Sequence, residues 1–300
     1  MPAEDAVARC GAVALVGRPN VGKSTLLNHL IGQKISITAP RPQTTRDQIL
    51  GIWTRERGQI LFLDTPGVHS GYRRLNRHLL RATRAALDGA DLGVLVVEAL
   101  LWTAADAEAL RWLQQRSIPL LAVVNKVDRL RDKTRLLPYL AELGQRASFL
   151  EILPLSARRA QDVELLAHRI LPHLPEGPPR FAADELTDRP LRFLAAEFVR
   201  EQIFRQLGAE VPYDTAVAID RYTLADDGRH EIEATIYCRR SGQKAMLVGE
   251  GGQRLKQIGS RARQAIEELT GGRVWLGLWV KEKEDWDGDR SLLHELGYDD

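Results

Sequence analysis

The sequence predicts an α/β protein in which a doubly wound, mainly parallel sheet is followed by a smaller α+β domain, and three observations predict it. Short apolar runs alternate with helical patterns as far as Ile170, the arrangement of a parallel sheet covered on both faces. The stretch Leu171-Pro172-His173-Leu174-Pro175-Glu176-Gly177-Pro178-Pro179 breaks the last of these helices and opens a stiff segment running to about Arg189. Beyond it the order of elements becomes α-β-β-α-α-β. With 300 residues and 44% hydrophobic side chains, each half has material for its own core. The expected boundaries are 1–175 for the first domain, 176–189 for a linker, 190–285 for the second domain and 286–300 for an acidic tail.

Ala12 to Val16 is apolar without alternation, as a strand buried on both faces requires. It runs into Gly17-Arg18-Pro19-Asn20-Val21-Gly22-Lys23-Ser24-Thr25, a full match to G-x-x-x-x-G-K-[ST], and an amphipathic stretch from Ser24 to Ile31 follows. A strand turning into a helix over such a loop cradles phosphate. Backbone N–H groups and the helix N-terminus face the anion, Lys23 reaches the terminal phosphates and Ser24 binds magnesium. Gly17, Val21, Gly22 and Thr25 belong to the same cradle. Asn20 either holds a monovalent cation such as potassium beside the phosphates or only stabilises the loop.

After the first helix ends near Gly32, Lys34 to Asp47 is rich in Thr, Pro and Arg, carries no period and reads as a mobile loop. Thr44 or Thr45 within it would complete the magnesium shell. Gln48 to Thr54 and Gln59 to Asp64 flank Arg55-Glu56-Arg57-Gly58, which argues for an antiparallel hairpin at one sheet edge. The second of these strands ends in Asp64-Thr65-Pro66-Gly67, where Asp64 would hold a magnesium-bound water and the Gly67 N–H would sense the terminal phosphate. Val68, the next residue, has no polar atom to orient an attacking water, so slow intrinsic turnover is expected. Arg74, Arg77, Arg81 and Arg84 form a basic stripe along the helical pattern that runs to Leu87, either as a solvated face or as a contact for a partner or RNA.

The run Gly93 to Val97 ends at Glu98, to which the sequence attaches no function. Helical patterns at Ala104 to Gln115, Lys133 to Leu143 and Gln161 to Ile170 alternate with strands at Leu120 to Asn125 and Phe149 to Leu155. Asn125-Lys126-Val127-Asp128 at a strand end names the nucleotide. A carboxylate at Asp128 accepts the N1–H and 2-amino group of guanine, whereas the adenine N1 lone pair is repelled, so GTP is expected over ATP. Asn125 would brace the phosphate loop and touch the base, the Lys126 stem would cover its face, and Ser156-Ala157 would close over its edge with a backbone N–H.

In the second half, Arg192 to Leu207 is helical by spacing, Thr215 to Tyr222 and Glu231 to Arg239 form a hairpin across Asp226-Asp227-Gly228, and Arg273 to Lys281 is a last strand. Two helices flank Gly249-Glu250-Gly251-Gly252, a G-x-x-G turn that can clamp a single-stranded nucleic-acid backbone against helix ends. The formal net charge of +2 conceals a local patch. Arg239 to Arg263 carries seven basic residues against Glu250 alone, a surface that a polyanion would find. Arg239, Arg240, Lys244, Arg254 and Lys256 are the expected RNA contacts, with the clamp at Gly249, Glu250, Gly251 and Gly252 acting through backbone N–H groups. Cys10 and Cys238 lie far apart with no Cys-x-x-Cys or Cys/His cluster, so a reduced, cytosolic protein is expected. No apolar run approaches the roughly 18 residues of a spanning helix, which argues against an integral membrane protein.

Together these residues resemble the Era family of bacterial GTPases over nearly the whole chain. Leu186-Thr187-Asp188-Arg189-Pro190, Glu210-Val211-Pro212-Tyr213 and Leu278-Trp279-Val280-Lys281 look like that family's linker, hairpin entry and last strand. The resemblance implies a Ras-like P-loop GTPase domain joined to a type II KH domain, and magnesium-dependent hydrolysis of GTP to GDP. It further implies binding near the 3′ end of small-subunit (16S) ribosomal RNA, a role in assembling the 30S subunit, and some peripheral contact between a cytoplasmic protein and the inner face of the cell membrane. Likeness to Thr-Arg-Asp loops selects Thr45 over Thr44, as a catalytic and magnesium-binding residue alongside Lys23 and Gly67. A monomer is expected. Two rivals remain: a nucleotide-stabilised RNA-binding scaffold, and a GTPase acting on large-subunit or transfer RNA, against which the G-x-x-G domain argues.

Overall fold

A computed structural model describes residues 8–39, 41, 44, 46, 48–65, 87–208, 210–289, 292 and 296. The chain divides into two compact units, Met1–Ser36 with Thr45–Asp188, and Ile37–Thr44 with Arg189–Asp300. The first is built on a six-stranded sheet of order β2-β3-β1-β4-β5-β6. Its strands are β1 (Arg9–Val16), β2 (Ile49–Arg55), β3 (Gly58–Asp64), β4 (Leu92–Glu98), β5 (Leu120–Asn125) and β6 (Ile152–Pro154). Only β2 runs antiparallel, forming the edge hairpin with β3; the other pairs are parallel. Strands β1, β4 and β5 are buried along almost their whole length, which is why they read as unbroken apolar runs.

The described helices of this unit are α1 (Lys23–Ile31), α2 (Ala104–Gln114), α3 (Leu136–Gly144) and α4 (Ala160–Ile170). One core cluster packs Ala14, Val16, Leu95, Val97, Ala122 and Val124 of the sheet against Ala109, Leu110, Leu113 and Leu143 of α2 and α3. Strand β1 has β3 on one side and β4 on the other, so the strand order reverses beside it. Ligands of open α/β sheets sit at the carboxyl ends of the strands at such a point. The helix expected around residues 76–87, the arginine stripe, Thr45, Gly67 and Val68 lie outside the described residues, apart from Leu87 at its end.

Strand β6 is shorter than its apolar run suggested. Phe149 turns back onto Ala147, and only Ile152 to Pro154 pair with β5 in register. As an edge strand it tolerates Pro154, which has no N–H to give. Helix α3 begins three residues later than Lys133, because Asp132 Oδ1 accepts from the Thr134 N–H (2.9 Å) and hydroxyl, closing a local turn.

The stretch read as a linker is folded onto the first unit. Gln59 Oε1 accepts from the N–H groups of Arg180 (2.8 Å) and Phe181 (3.0 Å), its Nε2 donates to the Phe181 carbonyl, and Ile52 N–H donates to the Leu186 carbonyl. Phe181 packs on Ala12, Ile52, Leu61 and Leu63. The division therefore falls after Asp188.

The second unit has the expected order: α5 (Leu191–Gln206), β7 (Thr215–Leu224), β8 (His230–Cys238), α6 (Ser241–Val248), α7 (Gln253–Thr270) and β9 (Val274–Glu282). Antiparallel β7 and β8 are joined by β9, which runs parallel to β8 from His230↔Val274 to Cys238↔Glu282. Phe198, Val199 and Ile203 of α5 and Ile258, Ala262 and Ile266 of α7 cover Ile232, Ala234 and Ile236.

Two readings change here. Within the stretch expected as a mobile loop, Ile37 is 1% exposed in the core of this second unit. The Thr38 N–H donates to Glu201 Oε1 (3.0 Å), Arg205 Nη2 donates to the Thr38 carbonyl (2.9 Å) and Arg200 Nη2 to the Thr44 carbonyl (2.6 Å). Thr38 and Thr44 are held by α5 through side chains that no local pattern announces. The start of the acidic tail is likewise part of the fold: Trp286 is buried with Ala216 and Leu292, and its Nε1 donates to the Asp214 carbonyl (2.9 Å).

Candidate nucleotide site and nucleic-acid surface

The loop between β1 and α1 adopts the backbone its sequence demands. Gly22 has φ +107°, and a Cβ there would lie 2.4 Å from Asn125 Nδ2, so only glycine fits where the base-motif strand crosses the loop. Gly17 is equally tight, since a Cβ would meet the Val96 carbonyl oxygen at 2.3 Å. Asn20 sits at φ +64°, in the left-handed region that asparagine tolerates. Lys23 is 7% exposed and its Nζ donates to the carbonyls of Gly17 (2.8 Å) and Arg18 (3.2 Å). Burial lowers its pKa from 10.5 to about 8 against the opposing charge of Asp64. Phosphate oxygens beside Nζ would favour the charged form again.

Asp64, at the end of β3, is fully buried. Its Oδ2 accepts from Ser24 Oγ (2.7 Å) and from Ser36 Oγ (3.0 Å), while Oδ1 has no hydrogen-bond partner among the described residues. Burial raises its pKa, opposed by Lys23 and by the two serines. A buried carboxylate oxygen left without a donor, beside a threonine- or serine-type hydroxyl, is a set of hard oxygen donors suited to magnesium and its waters. Ser36 was missed from the sequence. Asn28 places it, accepting at Oδ1 from the N–H groups of Ile35 (3.0 Å) and Ser36 (2.9 Å) and donating from Nδ2 to the Ser36 carbonyl.

At the end of β5, Asn125 Nδ2 donates to the Val21 carbonyl (2.7 Å), and its Oδ1 accepts from the N–H groups of Lys126 (2.7 Å) and Ala157 (2.9 Å). One amide thus pins the phosphate loop, the base motif and the Ser156-Ala157 loop together. The Ser156 N–H is held by Asp162 Oδ2 (2.8 Å). Asp128 is exposed beyond Lys126, and a hydrogen bond from Ser156 keeps its carboxyl below the usual range, charged and ready to accept. The structure therefore gathers Gly17, Val21, Gly22, Lys23, Ser24, Asp64, Asn125, Lys126 and Ala157 around the carboxyl ends of β1, β3 and β5.

On the second unit, Gly249 (φ +71°), Gly251 (φ +55°) and Gly252 (φ +77°) turn the chain between α6 and α7. A Cβ on Gly249 would lie 2.7 Å from that of Arg254, whereas a Cβ on Gly251 meets nothing within 4 Å. A groove of about 380 Å³ opens beside the turn, lined by Gly252, Leu255, Lys256, Arg263, Leu276 and Leu278 among others. Arg263 and the β9 leucines were not among the expected RNA contacts, because the groove is formed by α7 lying along β9. Arg240 and Lys244 are exposed, and Arg254 Nη1 donates to the Met246 carbonyl. Arg239 is spent internally: it pairs with Asp214 (3.5 Å) and Asp287, donates to the Glu284 carbonyl and lies over Trp286. The tail thus neutralises one of the expected RNA contacts.

A phosphate loop, a buried aspartate beside the loop serine and an Asn-Lys-Val-Asp strand end on one mainly parallel sheet define a P-loop GTPase, here followed by a KH domain. Family models agree, one described as "50S ribosome-binding GTPase" over residues 12–126 and one as a KH domain over 210–287. The chain is 48% identical over 97% of both lengths to GTPase Era of Stenotrophomonas maltophilia, and 48% identical to GTPase Era of Xanthomonas oryzae over 97% of both lengths. Two solved structures share the fold at a TM-score of 0.91, covering 97% of this chain and 99% of theirs. One, 38% identical, is a variant of Aquifex aeolicus Era bound to GDP and AlF4⁻; the other, 37% identical, is Era with MgGDPNP and nucleotides 1506–1542 of 16S ribosomal RNA. The chain belongs to the Era family and is a GTPase, hydrolysing GTP to GDP and phosphate. No helix among the described residues is long and apolar enough to cross a membrane.

Proposed function

We propose that this GTPase is a switch that binds single-stranded ribosomal RNA near the 3′ end of 16S RNA and assists assembly of the small subunit. The observation that carries the reading is the groove between α7 and β9 beside a G-x-x-G turn, with Lys256 and Arg263 on its wall, in a chain whose relative holds 16S nucleotides. Lys23 would neutralise charge on the terminal phosphates, Ser24 would bind magnesium and Asp64 a magnesium-bound water, and Asn125, Lys126 and Asp128 would read guanine with Ser156 and Ala157 at its edge. Thr45 and Gly67, which lie outside the described residues, are assigned to the phosphate end on the family resemblance. Magnesium would supply positive charge to the phosphates there; the chain's part is to position and desolvate. A cytoplasmic location with peripheral contact at the inner face of the cell membrane belongs to the same proposal and rests on the family resemblance. The description of the GTPase family model favours a large-subunit reading, but that model spans the nucleotide unit and not the KH domain. Crosslinking to total RNA with and without a GTP analogue decides between them: enrichment of large-subunit or transfer RNA would reject the 16S reading.

The turn supplies a sharper test. Gly251→Asp places a second acid beside Glu250 in open space, at a φ that aspartate tolerates, so RNA binding should weaken while GTP hydrolysis by the protein alone is unchanged. Glu250→Lys should raise RNA affinity at low salt and steepen the slope of log affinity against log salt by about 0.7, one phosphate's worth. An unchanged slope would place the phosphate track away from Glu250.

Asn20 is proposed to hold potassium beside the phosphates, which would supply the charge that Val68 cannot help to organise. Hydrolysis should then run faster in potassium than in sodium at equal ionic strength. Equal rates would leave Asn20 as a loop residue only.

A further inference from the structure

The residue at the end of β4 that carried no sequence expectation lies at the junction of the two halves of the nucleotide site. A single oxygen of Glu98, Oε2, accepts from Arg18 Nη2 of the phosphate loop (2.9 Å) and from Lys126 Nζ of the base motif (2.8 Å). We propose that Glu98 is a positioning residue that locks the phosphate loop and the guanine-covering lysine into one arrangement, so that both ends of a guanine nucleotide meet a site already assembled. This deepens the reading in which Lys23 meets phosphate and Lys126 covers guanine, and rests on it.

The surroundings make the bridge specific. Arg18 is also held from the other side, where its Nε donates to Asp106 Oδ2 (3.2 Å), and Asp106 is fully buried at the start of α2. The Thr103 N–H (2.9 Å) and hydroxyl (2.7 Å) donate to that same oxygen, fixing it in a capping box. With its guanidinium gripped at two points, Arg18 holds the peptide whose carbonyl, with that of Gly17, accepts from Lys23 Nζ. Glu98 itself pairs with Asn125 across β4 and β5, and the Ala99 N–H donates to the Asn125 carbonyl (2.9 Å). Its carboxylate is thereby referenced to the strand end that carries the base motif. Lys126 stands at φ +66°, a backbone conformation that non-glycine residues seldom adopt, and Glu98 anchors its far end. Burial alone would raise the Glu98 pKa, but the hydrogen bonds and charges of Lys126 and Arg18 outweigh it and hold the carboxyl below its ordinary value.

A bridge that presets the site improves binding of GDP and GTP alike and leaves the chemical step alone. In the full chain, Glu98→Gln keeps the shape but turns an amide toward two cations. Release of a fluorescent GDP and of a non-hydrolysable GTP analogue should accelerate roughly tenfold or more, the worth of one or two charge-assisted hydrogen bonds. KM for GTP should rise to match, with kcat at saturation within about twofold and the melting temperature of the nucleotide-free protein lowered by no more than about 5 °C. Arg18→Met should reproduce the effect, and the double variant should be no worse than either single one. Unchanged release rates in Glu98→Gln would overturn the proposal. So would additive losses, or losses that track a fall in melting temperature, which would make Glu98 structural only. Failure of the wild-type protein to bind the fluorescent GDP would instead refute the underlying assignment of Lys23 and Lys126.

Discussion

Lys23→Ala is expected to lower kcat/KM for GTP by at least about 10²- to 10³-fold, the loss seen when one preorganised donor to developing charge is removed. The side chain is almost fully buried and its ammonium rests on two carbonyls, those of Gly17 and Arg18, beside Asp64. That placement strips water from the cation in advance, which is why its pKa falls to about 8. Its charge is therefore available to phosphate with little reorganisation. Alanine leaves the loop's N–H groups but removes the only side-chain cation that this loop directs at its own carbonyls among the described contacts. Lys23→Met fills the same space and should lose turnover equally. Because burying an ammonium costs stability, neither variant should melt much below the wild type. Single-turnover hydrolysis with enzyme in excess is the measurement, and turnover within tenfold of wild type would remove Lys23 from the reaction.

Arg200→Ala should be the most damaging single change to the second unit. Arg200 is 2% exposed and Glu197 5%, and the guanidinium grips both carboxylate oxygens at 2.6 Å while donating to the Thr44 carbonyl at 2.6 Å. Truncating the arginine abandons a buried carboxylate, which costs about 3–5 kcal/mol. Removing both charges should restore most of that. Among the described contacts, Arg200→Met combined with Glu197→Leu leaves the Thr44 carbonyl short of a donor, a deficit of about 1–3 kcal/mol. Native-state hydrogen exchange along α5 reads the difference. A loss below about 1 kcal/mol in Arg200→Ala would mean that the carboxylate finds water. A double variant as weak as the single one would mean that the Thr44 contact, and not the ion pair, dominates.

The elements that were legible in the sequence are those whose cause is local. β1, β4 and β5 are buried on both faces and so read as apolar runs; the G-x-x-x-x-G-K-[ST] loop needs its glycines because a Cβ at Gly22 collides with Asn125. The Asn125–Val21 brace was legible too, since the chemistry of an asparagine at that strand end allows little else. What escaped were pairings over long separations, which leave no period. Gln59 stands in the sequence as the first residue of an edge-hairpin strand and is in fact the receptor for the backbone of Arg180 and Phe181. Glu98 looked like a strand terminus and bridges Arg18 to Lys126. Arg239 counted as a free basic residue because the acids that neutralise it, Asp214 and Asp287, lie at distant positions in the chain.

Segment 37–44 has a consequence for the order of events during synthesis. Its residues leave the ribosome early, but the helix that receives them, Leu191–Gln206, is made about 150 residues later, on the order of 10–30 s at ordinary translation rates. Until then Ile37 has no core to enter, and Thr38 and Thr44 lack the side chains that bind them. Closing so long a loop costs little more than closing a shorter one, but it delays the step that requires it. The second unit can therefore finish only after the first has been made, and a fragment beginning at residue 189 would be missing a piece of its own interior.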